Sequence, residues 1–199
     1  MRFRFDAILV GLGLAALTTT PAFAHLNPAE HGSFLVGLSH PIFGLDHILA
    51  MIGVGLWASL LGGRAVWAVP AAFVATMIVG FVAALANLGL PFVEPVIAAS
   101  VVVLGLLALV ALQAPTPAAM AMVGFFALFH GYAHGGELGE AGALPFMLGF
   151  AISTATLHAV GVAGGLGLAK VAGSGRGRWF TRAAGGLTAL AGMWIVAGG

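Results

Sequence analysis

Six apolar segments, each close to the roughly 20 residues that a membrane-crossing helix needs, follow one another through this chain at short intervals. They fall at roughly 41–61, 65–86, 92–112, 118–134, 144–171 and 180–196. The breaks carry helix-stopping residues: Gly62-Gly63-Arg64, Asn87-Leu88-Gly89, Gln113-Ala114-Pro115-Thr116-Pro117, Gly135-Gly136 and Gly173-Ser174-Gly175. In hydrocarbon the backbone must satisfy its own polar groups, so runs of this kind form helices, and short breaks make successive helices antiparallel neighbours. The expectation is an all-α integral membrane protein, a six-helix transmembrane bundle. Only 7% of residues are charged, against about 25% in a soluble domain, so this surface does not face water everywhere.

Residues 1–24 read as a cleavable signal peptide. Arg2 and Arg4 form the basic region, 7–17 a short apolar core, and Ala22-Phe23-Ala24 an A-x-A-like cleavage site. Cleavage there starts the mature chain at His25, outside the membrane. The cytoplasmic side then receives Arg64, Lys170, Arg176, Arg178 and Arg182, while Glu30, Glu94, Glu137 and Glu140 fall on the outer side. That is the bias the positive-inside rule requires. A net charge of +1 gives no electrostatic footprint for nucleic acid, so none is expected as a partner beside the lipid bilayer. With no cysteine, metal chemistry is left to imidazole, carboxylate, thioether and backbone.

Two short motifs break the apolar pattern. His40-Pro41-Ile42-Phe43-Gly44-Leu45-Asp46-His47 opens the first segment. An ionisable group in a span costs about 2.5–3.5 kcal/mol on insertion scales, so something must offset it. On a helix, residues seven apart return to nearly the same face, which puts His40 and His47 on one side with Asp46 beside them. A divalent cation would supply the charge partner that Asp46 otherwise lacks. The second motif is His130-Gly131-Tyr132-Ala133-His134-Gly135-Gly136-Glu137. His130 and His134 share a helical face; Glu137 would continue it if the helix ran on, but Gly135-Gly136 argue that it stops. In the topology above both motifs lie at the outer side, so His40, Asp46, His47, His130, His134 and Glu137 are the candidate metal ligands.

Secondary candidates are His25 and His31, as capture ligands or as solvated polar residues of a short tail. Met51 lies one turn beyond His47, although the methionines as a set read as apolar filler. His158, with Ser153, Thr154 and Thr156, is either an ion waystation near midplane or a helix-helix hydrogen-bond node. Gly161 and Gly165 form a small-xxx-small packing pair. Three functions fit: a metal permease, a membrane metalloenzyme whose bound ion activates water, and a histidine-based pH or metal sensor.

The two motifs resemble those of the HupE/UreJ family of nickel and cobalt permeases. His40 to His47 fits the family's H-x5-D-H pattern and continues into Leu49-Ala50-Met51 and Gly53-Val54-Gly55-Leu56-Trp57; Phe129 to Glu137 fits F-H-G-x-A-H-G-x-E. The resemblance implies a permease rather than an enzyme, carrying Ni2+, with Co2+ as further cargo, across the bacterial inner membrane to supply nickel enzymes such as hydrogenase or urease; nitrogen and oxygen ligands suit Zn2+ as well. It implies that His40, Asp46 and His47 are required, with His130 and Glu137 as further candidates.

Overall fold

The computed structural model describes residues 33–138 and 141–198. The expected signal peptide and the candidates His25 and His31 lie outside the described residues. Among the described residues every regular element is a helix: α1 (Ser33–Phe43), α2 (Leu45–Leu61), α3 (Ala65–Leu85), α4 (Val93–Val110), α5 (Thr116–Gly136) and α6 (Ala143–Val196).

Four of these helices are long and apolar enough to cross a membrane, or five if α1 and α2 count as one broken span. The first segment departs from expectation. It is not a straight helix over 41–61 but two helices bent by 78° at Gly44. Pro41 lies inside α1, where its ring leaves no N–H for the preceding turn, and Gly44 then takes an extended conformation at φ −94°, ψ 115°.

The 54-residue α6 is also interrupted, at Gly173, whose φ of +81° favours glycine. The chain doubles back there. A Cβ built on Gly177 would overlap the Leu168 carbonyl and Ala169 Cα, and one built on Gly165 would touch Thr181. Residues sixteen apart on a straight helix would be about 24 Å apart, so the segments before and after Gly173 are two arms packed side by side.

The helices approach through glycine. A Cβ on Gly131 would overlap the Met77 carbonyl, and one on Gly80 the Leu128 carbonyl, which brings α5 backbone against α3 backbone. Gly55 and Gly161 make the same reciprocal contact between α2 and the first arm of α6, so the small-residue pair is a packing surface. Close approach of this kind replaces the hydrophobic drive that lipid does not provide. Trp57, Phe73, Phe81, Phe150, Met51 and Met77 fill the interior, while Trp67, Val79, Val160, Val171, Leu187 and Trp194 point outward. An apolar exterior around a packed interior suits a hydrocarbon solvent.

The two ends differ in charge. Asp46, Glu94 and Glu137 gather at one end with His40, His47 and His134, around a cavity of about 300 Å3. Arg178 and Arg182 lie at the other, beside Ser59, Gln113 and Thr181, around a cavity of about 440 Å3.

Candidate metal centre

The break at Gly44 makes the site. On one straight helix His40 and His47 would be separated by about 10.5 Å along the axis, too far to share an ion. The bend folds them together, with ring centroids 5.8 Å apart. Gly44 also makes room for the pair behind it, because a Cβ there would lie 2.6 Å from His47 Nδ1 and 2.9 Å from Asp46 Oδ1. Asp46 lies in the first turn of α2, where the helix dipole favours a carboxylate.

The third imidazole comes from α5. Its ring centroid is 4.5 Å from that of His40 and 4.7 Å from that of His47. α5 runs through Gly135 and Gly136 rather than stopping before them, because Gly135 is a contact point: a Cβ there would lie 2.6 Å from the Phe81 carbonyl of α3. Among the described residues, His40, His47 and His134 each offer a ligand atom, and these atoms all lie within 4.8 Å of one another. Phe146 and Phe150 of α6 wall the group on its apolar side.

The protons follow from the contacts. His47 Nδ1 lies 2.8 Å from Asp46 Oδ1; donating there leaves Nε2 with its lone pair directed inward. His47 Nε2 is 2.6 Å from His134 Nε2. Two lone pairs at that separation repel unless a proton or a cation lies between them. Metal–nitrogen bonds of about 2.0–2.1 Å hold adjacent imidazoles roughly 3 Å apart, so a small outward shift of the rings would seat an ion.

The remaining candidates take other places. Asp46 Oδ1 lies against Nδ1 of His47, a contact that fixes the ring's tautomer and would raise the basicity of Nε2 toward a bound cation. Glu137 stands behind His134 in the same way but farther off, 3.5 Å from Nδ1. Neither carboxylate belongs to the group of three ligand nitrogens. His130, one turn inward of His134, has Nδ1 3.0 Å from the Phe126 carbonyl, and its buried Nε2 has no hydrogen-bond partner among the described residues. Its ring centroid is 5.6 Å from that of His47, so it flanks the group. Met51 is fully buried in the main apolar core. His158 is buried, with neither nitrogen partnered among the described residues, against Phe73 and beneath an apolar groove of about 760 Å3 between α3 and α6. Thr154 donates to Met77 Sδ at 3.7 Å, and Thr156 to the Ile152 carbonyl at 2.8 Å.

Glu94 was not singled out from sequence, yet it lines the cavity over His47 and His134. The available signal was its place in the first turn of α4, at the end where the histidine motifs were expected. The aromatic walls Phe73, Phe146 and Phe150 gave no such signal.

Helices long and apolar enough to cross a membrane, with three imidazoles converging at one acidic end, define a multi-helical membrane protein with a candidate metal site. The comparisons make that class particular. The HupE / UreJ protein family matches residues 13–195. A relative described as Protein HupE, from Rhizobium leguminosarum bv. viciae, is 46% identical over 187 residues, covering 93% of this chain and 95% of its own length. This chain belongs to the HupE/UreJ family. No solved structure matches it.

Proposed function

We propose that this chain is a nickel permease, also accepting Co2+, that crosses the bacterial inner membrane six times after its signal peptide is removed, with the imidazole end facing the periplasm. The observation that carries this is the meeting of His40, His47 and His134 from three helices at the acidic end of an apolar bundle. Nitrogen ligands backed by carboxylates suit Ni2+, Co2+ and Zn2+ alike, and affinity alone separates these ions poorly. Glu94 and Glu137 at the cavity mouth attract the hydrated cation. His40, His47 and His134 then replace part of its water shell. Three protein ligands leave coordination positions open, so the ion is held loosely enough to move on.

The likeness in the two histidine motifs supports nickel as cargo and a hydrogenase or urease as its destination. The six crossings rest on the six apolar segments, the bend at Gly44 and the reversal at Gly173. The orientation rests on the five basic residues of one side. The test is Ni2+ uptake into proteoliposomes holding the purified full chain. Saturable uptake, absent from empty vesicles and lost in His47→Ala, is expected. Nickel binding without any flux would instead indicate a sensor or a metalloenzyme.

A further inference from the structure

The mechanism above leaves two buried imidazoles unused, and both rest on one phenyl ring. The Phe73 centroid lies 5.7 Å from that of His130 and 4.9 Å from that of His158. His130 Nε2 and both nitrogens of His158 have no hydrogen-bond partner among the described residues. A neutral imidazole carries one donor and one acceptor, so His158 leaves both unmet at essentially zero exposure. Polar groups buried this way need a ligand, a water or an ion to account for them.

Ring contacts place these groups in a series: the His130 centroid lies 5.6 Å from that of His47 and 5.7 Å from that of Phe73, which lies 4.9 Å from that of His158. At about 1.5 Å per residue, His134 lies about 3 Å inside the imidazole end of α5 and His130 about 9 Å. Two helical turns beyond His158, on the same face, Gly165 lines the polar cavity of the opposite end with Ser59, Gln113 and Thr181. His158 therefore stands between the three-imidazole group and that cavity. Apart from His158 itself, the groove above it is lined only by apolar side chains and offers an ion no further ligand.

We propose that His158 is a second, transient ligand for the transported metal ion, reached from the three-imidazole group by way of His130 and separated from it by the Phe73 ring. The assignment rests on the permease function and extends it inward: the ion is handed between imidazoles instead of crossing the bilayer interior in water. Displacement of the Phe73 ring opens the step from His130 to His158.

The test uses the full chain in proteoliposomes, with His158→Ala and His158→Gln beside the wild type, measuring Ni2+ uptake and equilibrium Ni2+ binding. Both variants are expected to lose at least tenfold in uptake rate, while affinity at the three-imidazole group changes less than threefold. Uptake within twofold of wild type in either folded variant would overturn the assignment and leave His158 as a residue bonded to water. If neither variant folds, wild-type protein with 15N-labelled histidine decides. Ni2+ beyond one equivalent should broaden an imidazole resonance beyond those of His40, His47 and His134, with the signals assigned by single substitutions of those three; no further broadening would overturn the assignment. Wild-type protein that passes no Ni2+ would refute the permease function itself. Wild-type flux with unaffected His158 variants would refute only the inner ligand.

Discussion

The two ends of this bundle handle charge in opposite ways. At one end, carboxylates stand behind imidazoles: Asp46 on His47 at 2.8 Å and Glu137 on His134 at 3.5 Å, with Glu94 at the mouth. At the other, Arg178 and Arg182 face a cavity whose remaining polar groups are hydroxyls and an amide. Arg182 Nε donates to the Leu109 carbonyl at 2.7 Å, fixing that charge in place. Under the proposed function, the first end attracts and ligates the cation and the second repels it, which makes the second the release side. This contrast sets where an ion rests and does not by itself drive net flux.

Changes at the imidazole end should therefore weigh far more than changes at the arginine end. Replacing His47 with Ala removes the imidazole that both Asp46 and His134 contact; Ni2+ affinity by isothermal titration should fall at least 100-fold, and a loss under fivefold would break the contrast. Asp46→Asn keeps the shape but removes the charge behind His47. A partner of this kind is worth about 10–100-fold in metal affinity, and an effect of that size with an unchanged melting temperature is expected.

Protons should compete with the metal. Because only the neutral ring ligates, lowering the external pH from about 7.5 to about 5.5 should reduce initial Ni2+ uptake as protons compete for the ligating nitrogens. Uptake that rises through the same interval would contradict imidazole ligation. The smallest effect is expected for Arg178→Gln, which should change Ni2+ binding less than twofold.

The sequence already revealed the helical class, the apolar segments and the histidines worth watching, because hydropathy and isolated ionisable residues are local properties. It did not reveal what brings those residues together. His40 and His47 were expected on one face of one helix, which would have left them a heptad apart; Gly44 folds that helix over and makes them neighbours. Gly135 and Gly136 look like a helix stop, but α3 lies close enough that glycine is what lets α5 continue. Asp46 is a candidate ligand by residue type, and its contact with His47 Nδ1 at 2.8 Å is a tertiary detail that residue type does not encode. The packing of buried His158 against Phe73, a residue of another helix, is a tertiary contact that no spacing within α6 encodes.

X-ray absorption at the nickel edge, on the detergent-solubilised full chain loaded with one equivalent of Ni2+, tests the central claim most directly. Convergence of His40, His47 and His134 predicts a first shell containing three imidazole nitrogens at about 2.0–2.1 Å, with the multiple-scattering pattern of the rings. A shell of oxygens alone, or one unchanged in His47→Ala, would contradict it.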